Sequence, residues 1–301
     1  MIQILGKTNI DFLGKKYIAL GASCIMIILG IFAIFQIHEG KANLGVDFAG
    51  GLSLQVRFSK SITLSEIRTI LDKTGIKDAD IQDLPTEKKI LIKLKKQQEG
   101  TGDRIEKVLK DSLPDKEPQI ESITEIGPKI GQRTKKDALL AILAATAGIL
   151  IYIAIRFRFY FSIGATVATF HDVMAVLGIF YLLGKEINLI FISALLTIAG
   201  YSLTDTVVVF DRIRENLGKV AKGSMTLEAL MNKSINEVLS RTIVTSFTTL
   251  MAAVALFFFG GEVLHDFAFA MILGIIIGTY SSVFVASPVV LLLGKNSLIK
   301  K

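Results

Sequence analysis

The sequence predicts an α-helical polytopic membrane protein with an α+β domain inserted after the first of six transmembrane helices. The first observation is composition: 51% of the 301 residues are hydrophobic and the mean hydropathy is +0.55, which is too apolar for an ordinary soluble domain. The second is segregation of charge, because only Asp172 and Asp205 among all Lys, Arg, Asp and Glu residues fall within six long apolar stretches. The third is a charge-rich segment, residues 38–137, that follows the first of these stretches.

Each apolar stretch reaches the length of about 18 residues that allows a helix to cross a hydrocarbon core about 30 Å thick. The first stretch follows a basic N-terminus but is longer than the apolar core of a signal peptide, so we expect a retained anchor. The predicted transmembrane helices are residues 17–37, 138–155, 159–184, 187–210, 242–261 and 267–294.

The charges of the short connecting segments predict the orientation. Lys and Arg concentrate in residues 1–16, 211–241 and 295–301 and at the turn between the second and third helices, which indicates the cytoplasmic side. The segment 38–137 is too long for its charges to indicate its side of the membrane. Because successive helices cross the membrane in alternating directions, this segment is expected on the extracytoplasmic side. We therefore expect both termini in the cytoplasm and an extracytoplasmic domain.

Residues 38–137 show the pattern of a small α+β domain. Leu52, Leu54, Val56 and Phe58 alternate with polar residues, as in a half-buried strand, and Thr63 to Glu66 form a capping box before a helix. Further alternation and helical spacing complete a β-α-β-β-α-β order, which is the ferredoxin-like arrangement. No nucleophile, metal or phosphate motif is evident in it, so we expect a contact or lever domain and not an enzyme.

Glycines surround the start of the first predicted strand, in the segment Gly45-Val-Asp-Phe-Ala-Gly-Gly51. We interpret the segment as a tight entry turn in which Asp47 bonds nearby amides and the glycines adopt positive φ. A phosphate-binding loop is disfavoured because no helix closely follows Gly51.

A polar stripe runs along the fourth predicted helix and includes Asp205. A carboxylate at this depth faces the bundle interior by default and marks an ion or proton path. The alternative is a protonated, purely structural Asp205 bonded to a neighbouring hydroxyl. The stripe comprises Ser193, Thr197, Gly200, Tyr201, Thr204 and Asp205.

Two other helices could supply partners to Asp205. The fifth begins after Arg241 and carries Thr242, Thr245, Thr248 and Thr249, which could line the same seam. In the third, His171 and Asp172 could extend a relay or could join helices by hydrogen bonds. In the last, small residues at Gly274, Gly278 and Ser282 favour close helix packing.

Composition excludes several other classes. One cysteine and three widely separated histidines provide no spacing for a disulfide framework or a structural zinc site. The net charge of +7 lies mostly beside the membrane helices, so we expect the lipid bilayer and not nucleic acid as its partner.

The motifs together resemble the SecF family of bacterial protein-export membrane components, within the resistance-nodulation-division superfamily. The resemblance covers essentially the whole chain and is carried by the 45–51 segment, by Gly200-Tyr-Ser-x-x-Asp-Thr-Val-Val-Val-Phe-Asp-Arg-Ile-Arg-Glu-Asn216 and by Arg241-Thr-x-x-Thr-Ser246. Leu203-Thr204 departs from the Ile-Asn that family members often show, which leaves open what bonds to the neighbouring carboxylate.

The resemblance implies partnership with SecD, association with the SecYEG channel, possible contacts with YajC and YidC, and passage of a preprotein. It further implies that the proton-motive force completes translocation after the SecA-driven step, with protons as coupling ions, no cofactor and a location in the bacterial inner membrane. The fourth-helix Asp and the Arg opening the fifth helix map onto Asp205 and Arg241. Further proton-coupling candidates are Thr204, Thr245 and Asp172. The motif residues expected to be structural are Gly45, Asp47, Phe48, Gly50, Gly51, Gly200, Asp211 and Arg212.

Three other hypotheses compete with a proton-coupled translocase subunit. An independent proton-coupled transporter of a small solute would need a substrate cavity and often has two internal repeats, whereas this sequence shows one six-helix unit. A passive scaffold would tolerate replacement of Asp205 by Asn. An intramembrane protease is remote, because the sequence shows neither a suitable Ser-His pair nor a Gly-x-Gly-Asp motif.

Overall fold

The protein is described from a computed structural model that covers residues 8–76, 79–84, 89–94, 100–157, 159–220 and 224–294. The predicted tail 295–301 and the first seven residues lie outside the described part. The elements in chain order are α1 (Lys16–His38), α2 (Val46–Ala49), β1 (Gly51–Arg57), α3 (Leu64–Lys73), β2 (Asp80–Leu84), β3 (Lys89–Leu94), α4 (Thr101–Ser112), β4 (Gln119–Ile126), α5 (Pro128–Arg156), α6 (Phe159–Leu182), α7 (Leu189–Lys219), α8 (Leu227–Phe259), α9 (Gly261–Ser281) and α10 (Ser287–Gly294).

The chain divides into two compact units. One comprises Met1–Asn43 with Ala141–Lys301, and the other comprises Leu44–Leu140. The first unit is the membrane unit, since it contains most of the apolar helices. The second contains the sheet and is called the sheet unit below.

Six helices in the described residues are long and apolar enough to cross a membrane, which confirms the predicted number. Those formed by α6, by α7 and by α9 with α10 are largely buried in the bundle, whereas α1, α5 and α8 expose most of their apolar surface. The candidate spans are Leu13–His38, Lys129–Arg156, Phe159–Leu182, Leu189–Lys219, Leu227–Phe259 and Leu264–Gly294.

Several helices extend beyond the apolar stretches from which they were predicted. α7 continues to Lys219 and α8 begins at Leu227, so most of the predicted cytoplasmic segment 211–241 is helical. Helix α5 likewise begins at Pro128, ahead of its apolar stretch. The reason is that charge ends an apolar stretch but does not interrupt the backbone hydrogen bonds of a helix.

Side-chain caps fix where α7 and α8 begin. Asn188 Oδ1 accepts a hydrogen bond of 2.9 Å from the Phe191 N–H, and Thr226 Oγ1 accepts one of 3.2 Å from the Ala229 N–H. Each cap satisfies a backbone N–H that has no partner within its own helix.

Glycine allows α1 and α6 to cross with their backbones nearly in contact. A Cβ added to Gly30 would lie 2.4 Å from the Met174 carbonyl oxygen, and one added to Gly178 would lie 2.8 Å from the Gly30 nitrogen. Helices α7 and α9 also pack tightly, because a Cβ on Gly274 would lie 2.4 Å from Cγ1 of the Ile198 side chain. Small residues at such crossings are how membrane helices gain close packing. The packing role expected for Gly274 is therefore confirmed.

The last membrane span is irregular near its middle. A short π-helical turn, Ser282–Ala286, separates α9 from α10. Pro288 follows it and has no N–H to donate to the preceding turn, which disfavours a regular α-helix here. The Ser287 hydroxyl donates a hydrogen bond of 3.0 Å to the Ser282 carbonyl and satisfies part of the interrupted backbone.

The sheet unit contains four antiparallel strands in the order β2-β3-β1-β4. The alternation predicted for the first strand is seen, and Leu52, Leu54 and Val56 are fully buried. Helices α3 and α4 contribute to the same core cluster, including Ile67 and Leu109. The Thr63 capping box is present at the start of α3. The unit is thus a small antiparallel sheet whose core is completed by two helices.

The 45–51 segment forms a single helical turn, α2, and then leads into β1. Gly50 and Gly51 have φ of 70° and 129°, conformations that favour glycine, whereas Gly45 at φ −64° does not require it. The expectation of positive φ is therefore confirmed at the last two glycines and wrong for Gly45. Phe48 is buried, and a Cβ on Gly131 would lie 3.1 Å from its carbonyl oxygen, so α2 packs closely against α5. Asp47 lies in the first turn of α2.

Candidate functional site

Asp205 lies in the interior of the membrane unit, where α7, α8 and α9 meet. Its side chain is only 5% exposed and accepts a hydrogen bond of 3.1 Å from the Ser246 hydroxyl of α8. The Thr279 hydroxyl of α9 lies 2.8 Å from Ser246 Oγ and can donate to it. Three helices thus meet at one carboxylate through two hydroxyls. This confirms that Asp205 faces the bundle interior, as the cost of exposing a carboxylate to lipid predicts.

Asp172 is a second buried carboxylate with a fuller set of donors. It lies on α6 and is fully buried, as is its neighbour His171. One carboxylate oxygen is bonded to His171 Nδ1 at 2.8 Å. The other accepts from the hydroxyls of Ser202 on α7 and Ser281 on α9, the latter at 2.7 Å. Asp172 therefore joins α6, α7 and α9, which is the interhelical role left open by the sequence.

The two carboxylates differ in how far their ionised forms are compensated. Asp172 has three hydrogen-bonding partners, whereas Asp205 is bonded to the Ser246 hydroxyl and has the Thr279 hydroxyl as a further neighbour. Burying a charged carboxylate is costly unless hydrogen bonds or an opposite charge compensate it. Asp172 is thus a hydrogen-bonded junction of three helices, called the fixed junction below, whereas hydroxyl groups alone contact the Asp205 carboxylate among the described residues. Ser202 and Asp205 are three residues apart, so the two sites are about one turn apart along α7.

Some predicted site residues are not brought to Asp205. The hydroxyls of Thr204 and Thr245 donate to carbonyls four residues earlier in their own helices, those of Gly200 and Arg241. Both threonines are exposed. Arg241 is exposed as well, and its side chain makes no ion pair within the described part of the chain. The expected approach of Arg241 to Asp205 is absent from this arrangement of helices.

Exposed polar residues nevertheless flank the buried site on both helices. Thr204 is adjacent to Asp205 on α7, and Thr245 is adjacent to Ser246 on α8. The exposed polar stripes of these two helices therefore border the hydrogen-bonded pair Asp205 and Ser246. Long apolar helices with an uncovered polar stripe are typical of membrane helices that pack against further helices. The exposed members of the two stripes are Ser193, Thr197, Gly200 and Thr204 on α7, and Arg241, Thr245 and Thr248 on α8.

The charged end of the second motif has a different role. Asp211 pairs with Arg156 at 3.5 Å and with Arg214 at 3.2 Å, which ties α7 to the end of α5. Arg212 pairs with Glu237 of α8 and Glu215, each at 2.7 Å. These ion pairs hold the extensions of α5, α7 and α8 together, and they place Asp211 and Arg212 away from the buried carboxylates.

Sequence reasoning missed four hydroxyl-bearing residues of the site. The sequence marks Ser246 only as the end of a motif, and among the hydroxyl residues of the last span it marks only Ser282, as a small residue for packing. A run of four hydroxyl residues within an apolar span, from Thr279 to Ser282, was the available signal. The missed residues are Ser202, Ser246, Thr279 and Ser281.

Across the described ranges, no group of three or more His, Cys, Asp or Glu side chains could hold a metal ion.

The fold and site together define a multi-pass membrane protein with two buried carboxylates in its helical bundle. Residues 104–296 match the family described as "Protein export membrane protein SecD/SecF, C-terminal", and residues 42–62 match the SecD/SecF GG motif. The chain is 88% identical over its full length to protein translocase subunit SecF of Thermodesulfovibrio yellowstonii, and both chains are fully covered. It is 41% identical to that of Calditerrivibrio nitroreducens, with 96% of each chain covered.

The chain therefore belongs to the SecF family of protein translocase subunits, as its motifs indicated. These relatives are named for protein translocation and not for an enzymatic reaction.

The fold is also similar to a solved structure. The crystal structure of SecDF from Thermus thermophilus, a translocon-associated membrane protein, matches 95% of this chain with a TM-score of 0.83 at 34% identity. A super-membrane-facing form of SecDF matches 96% with a TM-score of 0.68. In both comparisons this chain spans 39% of the SecDF chain.

Proposed function

We propose that this translocase subunit works with SecD and uses the proton-motive force to complete preprotein translocation through SecYEG after the SecA-driven step. The observation that carries the proposal is the buried Asp205, hydrogen-bonded to the Ser246 hydroxyl, at the border of an uncovered polar stripe. Protons are the coupling ions, and no cofactor takes part. YajC and YidC are further partners by family resemblance.

In this proposal SecD supplies helices that cover the stripes of α7 and α8. The name of the solved relative, SecDF, and the fact that this chain spans 39% of it support a second, larger portion beside this one. Covering helices would bury the exposed polar residues that border Asp205, such as Thr204 and Thr245. A small-solute transporter working alone remains the alternative, and it would leave these stripes uncovered.

The proposed topology follows from the loop charges. Both termini and the α7–α8 connection lie in the cytoplasm, and the sheet unit, with its ferredoxin-like order of elements, lies outside the inner membrane. Its role is to contact the preprotein or act as a lever. The sequence supports this placement through the excess of Lys and Arg on one side of the membrane.

Proton coupling at Asp205 requires two helix arrangements with different charge states. In the arrangement described, Asp205 is bonded to Ser246 and Arg241 is exposed. A shift of α8 that exchanges Ser246 for the Arg241 guanidinium would favour the ionised carboxylate and release a proton. The membrane potential contributes about 2.3 kcal/mol per elementary charge per 100 mV, which is enough to bias such an exchange.

The test replaces Asp205 by Asn in membrane vesicles that contain SecD and SecYEG, with SecA activity held constant. We expect normal membrane insertion and SecD association, loss of the proton-dependent part of preprotein translocation, and partial retention in Asp205→Glu. Asp172→Asn is the matched control, because it makes the same chemical change at the fixed junction and should have a milder effect. Full proton-dependent translocation in Asp205→Asn would show that this carboxylate is structural.

Copurification from native membranes separates the proposed function from its alternative. We expect recovery of a SecD partner, because the polar stripes of α7 and α8 need covering. Recovery of a lone chain that transports a small solute in reconstituted vesicles would instead support the independent transporter.

A further inference from the structure

The segment that precedes α1 is bound to the charged end of α8 by two asparagine side chains. Asn236 Oδ1 accepts a hydrogen bond of 2.9 Å from the Ile10 N–H, and Asn236 Nδ2 donates one of 2.9 Å to the Ile10 carbonyl. Asn236 therefore pairs with the backbone of residue 10 as a neighbouring strand would. Residues 10–13, together with Asn232 and Asn236, are called the N-terminal clasp below.

Asn232 makes the second half of the clasp. Its Oδ1 accepts from the backbone N–H groups of Phe12 and Leu13, each at 3.1 Å. Its Nδ2 donates a hydrogen bond of 2.6 Å to Asp11. The Gly14 N–H and then Asn232 hold the pKa of Asp11 below its usual value, so this carboxylate is ionised near neutral pH. Asn232 and Asn236 are four residues apart and thus lie on the same face of α8.

Packing and charge reinforce the clasp. Leu13 is fully buried, and the ring of Phe12 lies edge-on to that of Phe284 with centroids 5.8 Å apart. Lys16, the first residue of α1, forms an ion pair of 2.5 Å with Glu228 of α8. The clasp is therefore a specific joint between the start of α1 and α8, with a buried anchor beside it.

The clasp joins α1 to α8, and these two helices are connected to different buried carboxylates. Helix α8 runs without interruption from the clasp to Ser246, which bonds Asp205 about 21 Å further along. Helix α1 is also bound to α6 through the crossing of Gly30 and Gly178, and to the last span through Tyr280, whose hydroxyl donates to the Ala19 carbonyl at 2.8 Å. Helix α6 carries the fixed junction Asp172. A displacement of α8 relative to α6 and the last span therefore either strains the clasp or moves the start of α1.

We propose that the N-terminal clasp couples α8 to α1, so that movement of α8 at Asp205 is transmitted to the helix from which the chain enters the sheet unit. Asn232 and Asn236 are then positioning residues for the energy-coupling step. The transmission of movement rests on the proposed function, because it requires proton coupling at Asp205. The clasp as a structural joint between α1 and α8 does not depend on that function. The physical basis is that an uninterrupted helix moves largely as a rod, so a shift near Ser246 reaches Asn232 with little loss.

The first experiment tests the joint in the full-length chain by hydrogen–deuterium exchange. Asn232→Asp places a second carboxylate within 2.6 Å of the Asp11 oxygen and removes the donor between them. We expect at least tenfold faster exchange of the amides of residues 10–14, whereas Lys233→Ala, an exposed neighbour on α8, should leave them unchanged. The exchanged pair Asp11→Asn with Asn232→Asp restores one donor and one carboxylate and should recover the protection. Unchanged exchange in Asn232→Asp would overturn the joint.

The second experiment tests transmission with the same variants in vesicles that contain SecD and SecYEG. We expect Asn232→Asp to lower proton-dependent translocation at least fivefold, with the SecA-driven part unchanged, and the exchanged pair to restore it. Faster amide exchange without a loss of translocation would overturn transmission and leave a simple anchor. Asp205→Asn, measured in parallel, reports separately on the proposed function: if it retains proton-dependent translocation while the clasp variants behave as expected in exchange, the proton assignment fails and the joint stands.

Discussion

At the scale of single residues, the number of donors around a buried carboxylate separates its possible roles. Asp172 is bonded to His171, Ser202 and Ser281, and removal of its carboxylate would leave His171 Nδ1 and the Ser202 hydroxyl without this partner in an apolar interior, whereas Ser281 can still donate to the Gly278 carbonyl. Orphaned buried polar groups each cost about 1–3 kcal/mol. Asp205, with Ser246 as its donor, can change charge at lower structural cost. This difference supports the proposal that Asp172 holds helices together and that Asp205 exchanges a proton.

A carboxylate of the sheet unit gives a prediction on pH. The Lys89 ammonium, which is 2.9 Å from Glu121 and donates to it, and the Arg57 guanidinium hold the pKa of Glu121 below its usual value. The folded-state pKa is thus lower than the unfolded one, so the stabilisation is present above the unfolded value, near pH 4.5, and is lost as pH falls through the folded value.

We expect Glu121→Gln to speed amide exchange in β1 and β4 by at most about fivefold at pH 7, as for a partly exposed ion pair. The difference between the variant and the unmodified chain should shrink as pH falls below 4.5. Hydrogen–deuterium exchange compared at each pH measures this, and a difference that stays constant down to pH 3 would contradict the assignment.

At the scale of helices, small residues determine which elements can approach each other. The α1–α6 crossing depends on Gly30 and Gly178, and the α7–α9 crossing depends on Gly274. The same helix α9 carries Thr279, which lies 2.8 Å from Ser246 on α8, and Ser281, which donates to Asp172 on α6, so the packing of α9 contributes to the geometry of both carboxylate sites. The site is therefore a consequence of helix packing as well as of its polar residues.

A substitution at the first crossing tests this dependence. In Gly178→Ala the new Cβ would lie 2.8 Å from the Gly30 nitrogen, so the two backbones must separate. We expect a loss of about 1–3 kcal/mol in the free energy of unfolding and a lower melting temperature in detergent. Gly21→Ala on α1 is the matched control, because its Cβ would meet nothing within 4 Å. Equal melting temperatures for the two variants would show that α1 and α6 can separate at this crossing without loss of stability.

At the scale of the whole molecule, orientation in the membrane sets the direction of the proton flow that we propose. The charge distribution predicts that the α7–α8 connection lies in the cytoplasm and the sheet unit outside. Orientation depends on the charges that flank each helix and not on contacts within the bundle. The contacts therefore do not report which side of the membrane each end occupies, and a test in sealed cells is needed.

Cysteine labelling checks the orientation. In a Cys24→Ser background, we expect Lys107→Cys in the sheet unit to react with an impermeant thiol reagent added outside intact cells, and Lys233→Cys on α8 to react only after the membrane is opened. Both lysines are exposed, so access to the reagent depends on the side of the membrane. Gln97 and Lys222 would be natural alternatives, but they lie outside the described residues. Labelling of Lys233→Cys in sealed cells would reverse the topology.

The sequence by itself determined the six membrane helices, the alternating strands of the sheet unit, the turn at Gly50 and Gly51, and the interior position of Asp205. These follow from composition and short-range periodicity. The transfer of a segment into lipid, and which face of a helix or strand a side chain lies on, depend on residues close together in the chain.

Only the tertiary structure decided which groups meet. Ser246 is 41 residues from Asp205, Ser281 is 109 from Asp172, and Asn236 is 226 from Ile10. Each of these pairs depends on how separate helices pack, and the same packing leaves Arg241, Thr204 and Thr245 exposed in the arrangement described. Hydrogen bonds act over about 3 Å, so a partner chosen by packing has no signature in local sequence.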